Sequence, residues 1–139
     1  MFKKVGILGS GTIGASWATF YTLHGIDVRI YDINEKQREF GPHKAEVFFE
    51  ALSGFDLAAA EKVAAAKERL HVAGSLGAMA DGCDFVQESI VERLDTLYQT
   101  LITLPRRITS STRSFLILPA TRSTYSSMTW YRSAPVIYQ

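Results

Sequence analysis

Three glycines, Gly9, Gly11 and Gly14, stand at fixed offsets in the stretch "GSGTIGASW", residues 9–17, and an acid, Asp32, follows further on. This arrangement suits the holding of a phosphorylated ligand better than the making or breaking of a bond. The first glycine of such a loop permits a tight turn. The second leaves room for a diphosphate to approach the backbone, and the third lets a helix pack closely on a strand. Amides in the first turn of that helix, at Thr12 and Ile13, have no intrahelical acceptor and can hold an anion. A carboxylate at the end of the next strand can accept hydrogen bonds from both hydroxyls of a ribose, and it would repel a phosphate on that sugar. The set Gly9, Gly11, Thr12, Ile13, Gly14 and Asp32 therefore predicts a dinucleotide cofactor, with NAD preferred over NADP. Lys36 and Arg38 are near enough in sequence to weaken that preference slightly.

The loop has this meaning only between a strand and a helix. The apolar run Val5-Gly6-Ile7-Leu8 predicts a buried strand before it. After Thr12 the period changes: Ile13, Trp17, Phe20 and Tyr21 fall near helical spacing, which predicts their shared face as the apolar one. Ala15 and Ala18 let that helix approach a sheet, and Gly25 ends it. Ile26, Val28 and Ile30 alternate with Asp27, Arg29 and Tyr31, a second strand that stops at Asp32. Asn34 is the expected cap of the next helix, with Gln37 three residues on. Gly41-Pro42 is expected to interrupt it, with a restart running to Leu52. Ser53-Gly54 reads as a break, and Asp56 as the cap of a further helix. Residues 70–73 predict a weak strand, Leu76–Met79 a short helical turn, Asp81-Gly82 a turn and residues 85–87 a strand. A helix over "VERLDTLYQTLITL" and a strand over 107–112 complete the pattern. Strands alternating with helices predict an α/β fold with a parallel sheet. Its Rossmann-type order carries a helical pair after the second strand and is incomplete at the C-terminal end.

The chain has 139 residues, enough for one compact domain. Its formal net charge of +1 gives no global field to recruit nucleic acid or a membrane. A single cysteine, Cys83, permits no internal disulfide and reads as a small core or turn residue. No long apolar span or signal sequence is visible, so a cytoplasmic location is expected. His24, His43 and His71 are scattered and predict no metal site. The charge is uneven: residues 105–139 hold five arginines, 12 Ser/Thr, no acid and no glycine. This places a boundary between a cofactor-binding domain over residues 1–114 and a basic, Ser/Thr-rich tail over 115–139, where a disordered or loosely packed segment is expected.

Residues 1 to about 95 resemble the N-terminal half of the NAD-binding domain of the L-3-hydroxyacyl-CoA dehydrogenase family, in the branch with gulonate dehydrogenase (lambda-crystallin) and carnitine dehydrogenase. The residues that carry the resemblance are "GSGTIGASWATFYTLHGIDVRIYDI" and "DFVQESIVERLD", residues 84–95. The resemblance implies that Gly9, Gly11 and Gly14 form the glycine loop and that Asp32 is the ribose acid. It also implies that Gln37 helps line the adenosine end, and that Ser89 and Glu92 sit beside the ribose and nicotinamide.

Beyond that point the family pattern fails. Leu97 stands where the family has a lysine. In "TSSTRS", residues 109–114, the family's polar serine falls on Arg113, and Ser114 matches only with a one-residue shift. The family's catalytic histidine has no counterpart, since no histidine follows His71, and no acid follows Asp95 to orient one. No catalytic residue is therefore assigned. The resemblance implies the NAD-binding part of an oxidoreductase that oxidises a 3-hydroxy group, truncated and catalytically incomplete, with a shifted reading frame after about Asp95. A hydroxy-acid or hydroxyacyl-CoA substrate belongs to intact relatives only. The alternatives are a non-enzymatic remnant that pairs with another chain and a regulatory NAD-binding module. Neither nucleic acid nor membrane is expected as a partner.

Overall fold

The computed structural model describes residues 2–90, 114–117 and 131–132. The first strand, β1 (Lys4–Leu8), forms where the short apolar run is, and it is buried from Val5 onward. The helix α1 (Thr12–Leu23) leads from it to β2 (Asp27–Tyr31), and a helical pair follows, α2 (Glu35–Gly54) and α3 (Ala60–Lys67). Then come β3 (Leu70–Val72), the short α4 (Leu76–Ala80), β4 (Phe85–Glu88), β5 (Ser114–Ile117) and β6 (Tyr131–Arg132). The strands join in one sheet of order β3-β2-β1-β4-β5-β6. The first five are parallel, and β6 runs antiparallel to β5. The expected helix over residues 91–104 and strand over 107–112 lie outside the described residues.

A parallel sheet needs both faces covered, and β1 shows how this is done. Val5 and Ile7 share a cluster with Ala18 of α1, Val28, Ile30 and Phe85. Leu8 points the other way, into a cluster with Met79, Ala80, Cys83 and Val86 beside α4. This two-residue alternation is the ordinary pleat of a strand. A third cluster, Ala15, Ala45, Phe49, Val63 and Ala66, joins α1 to the helical pair. The Cys83 thiol lies in the second cluster and donates to Met79 O at 3.1 Å. Burial pushes its pKa up to about 11.

Three expectations are corrected. The inward face of α1 is made of Gly14, Ala15, Ala18, Thr19 and Thr22, while Ile13 is 54% and Phe20 49% exposed. Wedged between the sheet, at Gly14 and Ala18, and the helical pair, at Ala15, α1 needs small residues at both contacts. The rings settle on its flank instead, where Trp17 stacks on Tyr21 with centroids 5.6 Å apart, and Tyr21 meets Phe85 at 6.4 Å. The second correction concerns α2, which runs unbroken through Gly41-Pro42. Proline removes one i→i−4 bond and strains the turn before it, at about 3 kcal/mol. Buried contacts of Gly41, Ala45 and Phe49 on the inner face offset that penalty. The third is the start of α3, which is capped from Ala59 without a side-chain bond. Asp56 instead adopts φ 55° in the turn between the helices, a conformation that aspartate tolerates better than most residues. The cap at Asn34 is as expected: its side chain accepts from Gln37 N at 3.2 Å.

Candidate functional site

The strand order reverses between β1 and β4, since β2 and β3 extend the sheet to one side and β4 and β5 to the other. Ligands of open α/β sheets bind outside the carboxyl ends of the strands at such a point. The chain leaves β1 there through Gly9, Ser10 and Gly11. Gly9 has φ 103°, and a Cβ on it would sit 2.6 Å from Ser89 O at the end of β4. Its N–H donates to Tyr31 O at 2.7 Å, which ties the loop to the end of β2. At Gly14 a Cβ would lie 1.9 Å from Gly9 O. The helix can approach the loop this closely only without a side chain.

Gly11 is different. It caps α1 at φ −65° and ψ −177°, and among the described residues a Cβ there would meet nothing within 4 Å. No side chain caps α1, and no acid stands in its first turn. The amides at the start of α1, Thr12 and Ile13 among them, thus face an open approach with the positive end of the helix behind them. Thr12 and Ile13 are both exposed.

Asp32 lies just past β2, beside this loop. Its Oδ2 accepts from Ser10 N at 2.8 Å and its Oδ1 from Asn34 N at 2.9 Å. Ser10 Oγ is 3.2 Å from the same Oδ2, yet only 2.6 Å from Gln37 O. A hydroxyl has one proton to donate, and the shorter contact takes it. A carboxylate has about four acceptor positions. Two are filled by amides, which leaves one on each oxygen, and this matches the two hydroxyls of a ribose.

Ser89 follows β4 and donates its N–H to Leu8 O at 2.7 Å. Its hydroxyl oxygen is buried and has no hydrogen-bond partner among the described residues. An orphaned hydroxyl at the mouth of the sheet is a group that a ligand could satisfy. Beside it, Glu88 is buried and accepts from Ile90 N at 2.6 Å, which fixes the turn out of β4. Gln37 is exposed on α2, and its carbonyl holds Ser10. Glu92 lies outside the described residues.

The structure thus brings Gly9, Gly11, Thr12, Ile13, Gly14, Asp32, Gln37 and Ser89 around one crevice. Their types fit a dinucleotide: open amides for phosphates, a half-engaged carboxylate for a diol, and a buried hydroxyl without a partner among the described residues. Sequence reasoning missed Ser10, Gly41 and Lys44. Ser10 is the open position of the glycine pattern, so its type carried no signal. The spacing of Gln37, Gly41 and Lys44 by four and three residues could have marked one helix face, but Gly41-Pro42 read as a break.

None of the three histidines supplies a base to this crevice. His24 follows α1 at the end far from the loop, with its Nδ1 2.7 Å from Phe20 O. His43 is exposed on α2 beside Phe40, and His71 is exposed on β3.

Known proteins are similar to this chain. L-carnitine dehydrogenase of Mesorhizobium japonicum is 32% identical over 104 residues, which are 73% of this chain and 27% of that protein. The mouse lambda-crystallin homolog is 27% identical over 122 residues, covering 82% of this chain and 37% of the relative. The chain therefore spans well under half the length of these curated relatives. The crystal structure of (S)-3-hydroxybutyryl-CoA dehydrogenase from Ralstonia eutropha superposes with a TM-score of 0.67 at 22% identity, over 81% of this chain and 38% of that one, and so shares the fold. Residues 4–124 match the family model described as 3-hydroxyacyl-CoA dehydrogenase, NAD binding domain. By that match, which takes in the glycine loop, Asp32 and the turn after β4, this chain belongs to the NAD-binding domain family of the 3-hydroxyacyl-CoA dehydrogenases.

Proposed function

We propose that this chain binds NAD in the crevice outside β1 and β4, and that it is the cofactor-holding part of an oxidoreductase acting on a 3-hydroxy group. The observation that carries this reading is the contrast between two glycines. Gly14 is closed against Gly9 O, whereas among the described residues Gly11 has nothing beside it at an uncapped helix start. In this reading the amides of Thr12 and Ile13 hold the diphosphate. Asp32 holds the adenosine ribose, and its position is set by Ser10 and Asn34. The hydroxyl of Ser89 satisfies a polar group of the ligand further along the crevice, and the family resemblance assigns Glu92 to the ribose and nicotinamide. The cofactor's contribution is a nicotinamide ring that accepts or returns a hydride.

Removal of the hydroxyl proton calls for a base within hydrogen-bond reach of the substrate. His24, His43 and His71 all lie away from the crevice, and no histidine follows His71. The chain by itself therefore binds cofactor without turning over substrate. Two measurements test this. NADH fluorescence titration is expected to show saturable binding that Asp32→Ala weakens about tenfold or more, from the loss of charge-assisted hydrogen bonds. Acetoacetyl-CoA with NADH is expected to give no turnover above the buffer rate. Absence of NADH binding would overturn the cofactor reading, and a rate abolished by disrupting Gly11 would overturn the statement about catalysis.

A further inference from the structure

Ser10, which the glycine pattern leaves unspecified, is 1% exposed. One stripe of α2 closes over it. Gln37 O takes its hydroxyl proton at 2.6 Å. Gly41 lies flat against it, so that a Cβ on Gly41 would come 2.7 Å from Ser10 Cβ. One turn further on, Lys44 Nζ stands 3.4 Å from Ser10 O and 2.5 Å from Gln37 Oε1.

Both acceptors of Lys44 are neutral. Among the described residues the ion pairs are Lys67–Glu46 and Arg69–Asp27, and neither involves Lys44. An ammonium group has three donors, and two are engaged among the described residues. It gains most when an anion is near. Its contact with Ser10 O also matters beyond the contact itself. That carbonyl belongs to the peptide whose other end is the N–H of Gly11, at the mouth of the crevice. A cation on the oxygen polarises the peptide and strengthens the amide as a donor.

We infer that Lys44 is a positioning and affinity-determining residue, whose ammonium supplies the fixed positive charge behind the glycine loop for the diphosphate of a dinucleotide. This rests on the cofactor reading above and adds to it a residue that the glycine pattern does not contain. Lys44 acts through the Ser10–Gly11 peptide and through its field, not by direct contact with the ligand. Adding the lengths of the intervening bonds, an anion hydrogen-bonded to the Gly11 amide lies within roughly 9 Å of the ammonium. At that range, with an effective dielectric between that of a protein surface and that of water, one charge pair alters affinity by about two- to twentyfold.

The test uses the full chain and three ligands: NADH, ADP-ribose, which keeps the diphosphate, and adenosine, which has no charge. Affinities are measured from low to high KCl for the wild type, Lys44→Met, Lys44→Gln and Lys44→Arg. Lys44→Met and Lys44→Gln are expected to weaken NADH and ADP-ribose by about two- to twentyfold. They are expected to flatten the salt dependence of both, to leave adenosine unchanged, and to be rescued by Lys44→Arg. An equal loss for adenosine would mean that the residue only shapes the fold, and would overturn the inference. Unchanged NADH affinity and salt dependence would also overturn it while leaving the cofactor reading intact. A wild type that binds no NADH overturns both. If the neutral variants do not fold, the wild type decides alone, since ADP-ribose binding no more salt-sensitive than adenosine binding contradicts the inference.

Discussion

Replacing Gly11 by alanine separates folding from binding. Gly11 has φ −65° and ψ −177°, an extended conformation open to any residue. The added methyl would meet nothing within 4 Å among the described residues. The only folding penalty is that alanine caps a helix less well than glycine, which is of order 1 kcal/mol. In a domain of this size that corresponds to a fall in Tm of roughly 3–6 °C. Binding is another matter, because the methyl fills the space through which a phosphate must approach. A phosphate oxygen on an amide sits about 2.9 Å from the nitrogen, while a carbon and an oxygen normally keep about 3.3 Å or more apart. At least one hydrogen bond to a charged group is then lost. Such a bond is worth about 1.5–3 kcal/mol, or about 10- to 150-fold in affinity. Thermal melts by circular dichroism and NADH titration on the same samples provide the assay. Near wild-type NADH affinity in Gly11→Ala would refute the claim that this glycine faces the ligand. A large loss of Tm would refute the claim that the space beside it is open.

Gly14→Ala is expected to do the reverse. Its Cβ would overlap Gly9 O at 1.9 Å, so the loop and α1 must separate, at about 1–3 kcal/mol or more, and Tm falls first. Cys83 sets a pH limit. Its thiol is pushed from an ordinary 9.0 to about 11, so above pH 9 the unfolded chain loses this proton while the folded chain keeps it. The stability it contributes is complete below that pH and falls as pH rises towards 11, by about 1.4 kcal/mol per unit at most. Denaturant melts at pH 8 and 10.5 are expected to show a steeper loss for the wild type than for Cys83→Ala, and parallel losses would refute the account.

The parts of the fold legible in the sequence were those whose chemistry restricts the residue type. The glycine loop was visible because Gly9 and Gly14 have no room for a side chain. The sheet was visible because β1 is a short apolar run, Val5 to Leu8, and because Val28 and Ile30 alternate with polar residues in β2. The helical pair after β2 was readable from composition, but its continuity was not. Local sequence gives Pro42 the weight of a breaker, and only the packing of Gly41 on Ser10 and of Phe49 on its cluster outweighs that. The face of α1 misled for a related reason. Hydrophobicity favoured Ile13, Trp17 and Phe20, whereas a helix wedged between the sheet and the helical pair needed small residues. The contact between Ser10 and Lys44 joins positions 34 apart, and nothing local to either residue announces it.

The contact between Gly41 and Ser10 also constrains how this sequence can drift. With so little space between them, a side chain at position 41 requires a smaller residue at position 10, whereas a bulkier residue at position 10 has no compensating change left at Gly41. Related chains that carry a side chain at position 41 should therefore carry a residue smaller than serine at position 10. A lineage that relaxed position 10 to glycine would gain freedom in the middle of a helix 31 positions away.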